Sequence, residues 1–247
     1  MKAVIIAAGC GSRLKEYHQG IPKTLLSVHG KRIIDDIIEK IISNGISDIV
    51  IITGYKSKLL EEYLAKYKDS SITIRFIYNP RWEEANGISV LTARKAMSEK
   101  DEFILLMSDH IFSKEILSHI ISAKIETDEA LLAIDLKIEK IPDLADGMKL
   151  QAVKIENSLY QINKFGKNLH DFNAIDTGIF KLHFSFFDTL EKTIARGKDS
   201  LSDACNLLCE AGRMKGLDIG DKLWLDIDTP EMLNQTTILK NILEISG

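Results

Sequence analysis

Cysteine is scarce in this chain of 247 residues: only Cys10, Cys205 and Cys209 are present. The number is odd and no two form a CxxC pair, so neither a disulfide framework nor a zinc site is indicated. Histidines and thiols do not cluster as zinc ligands do. Cys205 and Cys209 fall on one face of a helix. Cys10 reads as a small loop filler, although a helix N-terminus nearby would stabilise a thiolate. No apolar run approaches the roughly 18 residues of a membrane span. The start is strand-like rather than charged and then apolar, so the chain is expected to be soluble and cytoplasmic. An excess of positive charge is also missing. With Lys+Arg 32 against Asp+Glu 36, the net charge is -4, which argues against a broad nucleic-acid surface. Any polyphosphate must be held by a few local cations in a pocket. Repeats and low-complexity linkers are absent.

A composition of 45% hydrophobic and 28% charged residues allows a sizeable core, and one domain over 1–247 is expected. The organising stretch is Lys2 to Leu26. The apolar run Ala3, Val4, Ile5, Ile6 predicts a buried strand. It breaks into Ala7, Ala8, Gly9, Cys10, Gly11, Ser12 and Arg13, with Pro22 and Lys23 following. Side chains this small let backbone N–H groups converge on an anion, and Arg13 and Lys23 add charge to the same cradle. Two familiar glycine loops are excluded: Leu14 stands where a dinucleotide fingerprint has its third glycine, and no Gly-Lys-Ser/Thr ends a Walker A loop. The bland alternative is a tight strand-to-helix turn.

Ile33, Ile34, Ile37, Ile38, Ile41 and Ile42 recur at helical spacing and stop at Asn44-Gly45. Ile49 to Ile52 predict a strand, Leu59 to Tyr67 a helix, and Ile72 to Tyr78 a third strand. This β, α, β, α, β order implies a Rossmann-like α/β fold: a mostly parallel central sheet flanked by helices, with ligands outside the carboxyl ends of its strands. A loop bearing Asn86, Gly87 and Ser89 is expected ahead of a helix through Met97. The strand Phe103 to Met107 delivers Asp109 and His110 to the same edge. A helix from Ile116 to Ile121 and a strand from Ala130 to Leu136 follow. A β-hairpin insertion is predicted over about 149–168, carrying Lys164 and Lys167. Then come a strand through Asp176 and Thr177, helices near 185–196 and 201–211, a short strand at 214–218 and a last helix from Thr229 to Ile245. Asp228 or Thr229 would cap that helix with Pro230 as its first residue. Asp226 alternates with Asp228, a spacing no cap requires.

A phosphate cradle (Gly9, Gly11, Arg13, Lys23), three carboxylates that can reach one crevice edge (Asp109, Asp226, Asp228) and a separate basic pair (Lys164, Lys167) together suit two phosphorylated substrates and Mg²⁺. A phosphate nucleophile with a second pKa near 6 is already ionised at neutral pH, so no general base is needed. His110 reads equally as an orienting residue or a substrate contact.

The motifs AAGCGSRL with PKTLL, NGISV, SDHIF, DTGIF and WLDIDTPE resemble, over essentially the whole chain, the nucleotidyltransferases that move a nucleoside monophosphate from a triphosphate to a phosphorylated acceptor. NG-x-SV, SDH, KFGK and DTGIF are similar to the CTP:inositol-1-phosphate cytidylyltransferases. The resemblance implies CTP and inositol 1-phosphate as small-molecule partners, with no nucleic acid and no membrane span; a homodimer stays open. It implies that Ala7, Ala8 and Gly9 line the nucleotide, with Gly11 and Ser12 completing the loop. Arg13 would hold the β and γ phosphates, and Lys23 would neutralise the α-phosphate. Asn86, Gly87 and Ser89 would lie against base and ribose, and Asp109 with Asp226 or Asp228 would hold Mg²⁺. Lys164 and Lys167 would grip the acceptor phosphate, with Asp176 and Thr177 facing the inositol hydroxyls. Archaeal relatives are often fused to a membrane-embedded synthase, a part with no counterpart here. The alternatives are phosphocholine or a sugar 1-phosphate as acceptor, and a non-catalytic nucleotide-binding protein. Trp82, Tyr78 and Phe165 are the aromatics that could cage a choline.

Overall fold

The computed structural model describes residues 1–14, 20–67, 71–233, 235 and 240. Its strands are β1 (Lys2–Ala7), β2 (Ser27–Val28), β3 (Lys31–Arg32), β4 (Asp48–Thr53), β5 (Thr73–Tyr78), β6 (Glu102–Met107), β7 (His110–Phe112), β8 (Ala130–Asp135), β9 (Lys149–Glu156), β10 (Leu159–Gly166), β11 (Ala174–His183), β12 (Met214–Asp218) and β13 (Trp224–Asp226). The α-helices are α1 (Ile33–Ser43), α2 (Ser57–Leu64), α3 (Asn86–Thr92), α4 (Lys114–Ser122), α5 (Phe186–Ile194), α6 (Leu201–Glu210) and α7 (Pro230–Leu233).

Nine strands form one sheet in the order β5-β4-β1-β6-β11-β8-β12-β10-β9. β1 lies between β4 and β6 and is parallel to both. Its near-continuous apolar sequence follows from that position, because both faces are covered. Ala3, Ile5 and Ala7 enter the core beneath α1, α2 and α4, while Val4, Ile6 and Ala8 enter the core beneath α3, α5 and α6. Ile33, Ile34, Ile37, Ile38 and Ile41 of α1 are all 0% exposed, each worth about 1.5–3 kcal/mol of burial. The helix ends as its Asn44-Gly45 signal requires. Gly45 takes φ 78°, its N–H donates to the Ile42 carbonyl, and Ile46 N–H reaches back to Ile41, a left-handed glycine closure.

The far half of the sheet is mixed: β11 runs antiparallel to β6 and β8, and β8 is parallel to β12. The hairpin is β9 and β10, and it extends this sheet, since β10 pairs with β12 and β9 with β11. Asn86, Gly87 and Ser89 do not lie in a loop ahead of a helix; they form the first turn of α3. The sequence hides this because Gly87 reads as a loop residue. Its glycine is instead demanded by packing, as an added Cβ would sit 2.3 Å from the Asp199 carbonyl oxygen. The last helix begins at Pro230, and most of the expected stretch to Ile245 lies outside the described residues. No helix among the described residues is long and apolar enough to cross a membrane.

Candidate active site

At the carboxyl end of β1 the chain turns through Gly9 and Gly11 into a short 3-10 turn, Ser12–Leu14. Gly11 has φ 61°, and a Cβ there would meet Lys23 Cβ at 2.8 Å. The loop backbone and the Lys23 stem therefore pack directly on each other. Nothing lies within 4 Å of where a Gly9 Cβ would be. A cavity of about 900 Å³ opens here, lined by Ala7, Gly9, Gly11, Arg13, Lys23, Asn86, Ser89, Asp109 and Asp228. Tyr55 and Trp82 form an aromatic wall in it, with ring centroids 5.6 Å apart.

The acidic groups are delivered by a two-stranded ribbon. β7 pairs antiparallel with β13, placing Asp226 opposite His110, and Ile227 N–H donates to the Asp109 carbonyl at 2.9 Å. Lys23 Nζ lies 3.0 Å from Asp109 Oδ2 and 3.8 Å from Asp226 Oδ1, and also bonds Asp228 Oδ1. Burial alone would lower the Lys23 pKa, but the three aspartates outweigh it and raise it above its ordinary value. Asp109 shows the reverse balance: burial pushes it up, yet Lys23 and His110 hold it well below the usual carboxylate range.

His110 Nδ1 is 2.8 Å from Asp109 Oδ1. Burial opposes its charge, but Asp226 and Asp109 raise its pKa to about 9, which favours the imidazolium beside these carboxylates. It stacks on Trp224 at 5.8 Å and rests on Gly178, whose Cβ would fall 2.8 Å from its ring. Burial raises the Asp226 pKa to about 7, helped by the Asp109 charge and opposed by His110. Asp226 Oδ1 is buried without a hydrogen-bond partner. Ligand atoms of Asp109, His110 and Asp226 lie within 4.8 Å of one another. An orphaned carboxylate oxygen beside other carboxylates is the oxygen donor set that suits a hard cation.

A second cavity, of about 240 Å³, lies beyond this cluster and is lined by His110, Asp135, Lys137, Asp146, Lys167, Asp176, Lys222 and Trp224. Asn86, Met107 and Asp228 line both cavities. Lys23 and its carboxylates thus stand at the partition between the two cavities. In the second space the Asp176 carboxyl accepts from Gly178 N–H at 2.6 Å, and burial raises its pKa to about 6.

Residues 2–238 match the family described as Nucleotidyl transferase. The chain belongs to the Nucleotidyl transferase family. Among curated relatives, a bifunctional IPC transferase and DIPP synthase of Archaeoglobus fulgidus is 31% identical over 94% of this chain and 42% of its own length. The protein of that name in Aquifex aeolicus is 29% identical over 93% of this chain and 49% of its own. The chain therefore spans about half the length of these relatives. In fold, it is similar to the inositol-1-phosphate CTP transferase from T. maritima, at TM-score 0.84, 22% identity and coverage of 98% and 96% of the two chains. It is also similar to a UDP-glucose pyrophosphorylase solved with UDP-glucose, at TM-score 0.81, 16% identity and 98% coverage of each.

Within this nucleotidyl transferase fold, Arg13, Lys23, Asp109, Asp226 and Asp228 meet at one point. Ala8 is buried, with its carbonyl accepting from Tyr55 N–H at 2.9 Å. Gly87 is buried within α3 against the Asp199 backbone, and the Ser12 side chain lies outside what is described. Ser89 accepts from Asn79 Nδ2 at 2.9 Å. Lys167 and Asp176 line the second cavity, whereas Lys164 is exposed on β10 and lines neither. Thr177 is fully buried, donating to the Ala133 carbonyl at 2.8 Å. Trp82, Tyr78 and Phe165 do not gather: Trp82 lines the first cavity, Tyr78 is exposed and Phe165 lies in the core. Sequence reasoning misses Asp135 and Asp146. Asp135 accepts from Trp224 Nε1 at 3.0 Å, and Asp146 bonds Arg13 at 2.5 Å. Asp135 closes β8, a strand-end position that sequence reasoning could have used, whereas Asp146 falls at no strand end and no local pattern marks it.

Proposed function

We propose that the chain transfers CMP from CTP to inositol 1-phosphate, giving CDP-inositol and pyrophosphate. The observation that carries this reading is the pair of cavities sharing Asn86, Met107 and Asp228, with Lys23 and its carboxylates at their junction. The names of the relatives and of the first structural neighbour support the acceptor. The triphosphate lies along the glycine loop, where Gly9 presents open backbone and Arg13 and Lys23 offset phosphate charge. The acceptor enters the second cavity with its phosphate toward the partition and Lys167, and its ring toward Asp176.

One acceptor phosphate oxygen attacks the α-phosphorus; the new P–O bond forms as the bond to the β-phosphate bridging oxygen breaks, and pyrophosphate leaves. The acceptor is already ionised, so catalysis reduces to alignment and charge neutralisation. Lys23, held as an ammonium by its aspartates, stabilises charge on the α-phosphate. His110 pins the Asp109 carboxylate, and stacking on Trp224 keeps the ring in place. Mg²⁺ would be held by Asp109 with Asp226 or Asp228, and when bound it draws phosphate oxygens together and neutralises their charge. The domain reading is one unit over 1–247, with β9 and β10 shaping the acceptor side. A pyrophosphate-release screen crossing four nucleoside triphosphates with inositol 1-phosphate, phosphocholine and glucose 1-phosphate tests the assignment. Fastest release is expected with CTP and inositol 1-phosphate; preference for another pair reassigns the substrates, and no release with any pair removes the enzyme.

A further inference from the structure

Asp146 belongs to neither the glycine loop nor the acidic ribbon, yet it touches a cation of each cavity. Its Oδ2 is 2.5 Å from Arg13 Nη1, and its Oδ1 is 2.7 Å from Lys167 Nζ. The same Arg13 nitrogen is 2.7 Å from Asp228 Oδ2. A continuous chain of charges, Lys167–Asp146–Arg13–Asp228–Lys23, therefore crosses the partition.

The loop carrying Asp146 is fixed from beneath. Lys149, only 9% exposed, donates to the Ala145 carbonyl at 3.1 Å and the Lys167 carbonyl at 2.7 Å. Asp146 N–H leans on Asp143 Oδ1 at 3.3 Å. One step further, Asp176 N–H donates to the Met148 carbonyl at 3.0 Å. A buried ammonium that satisfies carbonyls on both sides of a hairpin sets where its loop stands. Here it sets Asp146 and the backbone of Lys167 together.

We propose that Asp146 is a positioning residue that ties Arg13 to Lys167, so that charge on the acceptor side is felt by the triphosphate side. The proposal rests on the functional reading above, in which Arg13 meets the triphosphate. Lys167 shares the Asp146 charge. When Lys167 is neutralised, Asp146 holds Arg13 more strongly and competes better with phosphate for the guanidinium. Both pairs are partly exposed, so the link is modest, on the order of fourfold in affinity.

The test is equilibrium binding of each of the four nucleoside triphosphates with Mg²⁺ and no acceptor. It uses the full chain as wild type, Lys167→Met, Asp146→Asn, Arg13→Met, and Lys167→Met in each of the other two backgrounds. Lys167→Met is expected to weaken triphosphate binding about fourfold, on the scale of a partly exposed charge pair, although Lys167 lines the other cavity. The same change should have no effect once Asp146 is Asn or Arg13 is Met. Lys167→Gln repeats the measurement, and thermal melts check that every variant is folded. Unchanged affinity in Lys167→Met, or equal weakening in the Asp146→Asn background, overturns the tie. If the wild type binds no triphosphate at all, the functional reading fails and takes this proposal with it. If it binds and the link is missing, only the proposal fails.

Discussion

Replacing Lys23 by Met removes the ammonium at the partition but keeps the aliphatic stem that packs against Gly11. The cation lies 3.0 Å from Asp109 and 3.8 Å from Asp226, and bonds Asp228. At an effective dielectric of about 20, unit charges about 4 Å apart interact by about 4 kcal/mol, so its loss leaves three carboxylates repelling one another. Part of the loss is recovered by proton uptake. Asp226 already sits at about 7 through burial and the Asp109 charge, and without Lys23 it moves higher. A carboxyl whose folded pKa is raised favours the native state when protonated. The variant is therefore expected to lose about 3 kcal/mol at pH 8, the scale of one broken buried pair, and less at pH 6. Adding Mg²⁺ should stabilise it more than it stabilises the wild type, because no ammonium competes for the carboxylates. Turnover should nevertheless fall at least about a hundredfold, the scale of one lost transition-state charge contact. Thermal melts at both pH values, with and without Mg²⁺, and steady-state pyrophosphate release read the two effects separately. Near-normal turnover, or Mg²⁺ stabilisation no larger than in the wild type, would refute the reasoning.

Two further outcomes follow from the second cavity. Gly178→Ala places a Cβ at φ 74° and 2.8 Å from the His110 ring. The left-handed penalty and overpacking together should cost about 2–4 kcal/mol, and turnover should fall at least about tenfold as Asp109 loses its anchor; a melting temperature within a degree of wild type would contradict this. Asp176, raised to about 6 by burial, binds its proton more tightly when folded. Its contribution to stability is present below its unfolded value and lost as pH rises through about 6. Asp176→Asn should flatten that part of the pH–stability profile measured in chelator, and an unchanged slope would show that the carboxyl is not buried as described.

The central strand and α1 were legible because their signals are local: a short apolar run for β1 and a three-four spacing of isoleucines for α1. The gathering of Gly9, Gly11, Arg13 and Lys23 at one cavity was legible for a similar reason, as they stand close in sequence. The downstream aspartates could be placed only as candidates for the same edge, because the β7–β13 ladder that sets Asp226 opposite His110 joins distant segments. Asp146 left no trace at all. Its position depends on Lys149 and the hairpin register, which no short-range pattern encodes. Gly87 misled for a physical reason: a glycine chosen for close backbone approach to Asp199 looks the same in sequence as one chosen for a turn.

The most direct measurement is ³¹P NMR of the protein with CTP, inositol 1-phosphate and Mg²⁺. Attack on the α-phosphorus predicts the coupled resonances of a diphosphate diester rising together with pyrophosphate, one for one, and only when both substrates are present. Release of orthophosphate without a diester, or consumption of CTP independent of the acceptor, would contradict a transfer across the partition between the two cavities.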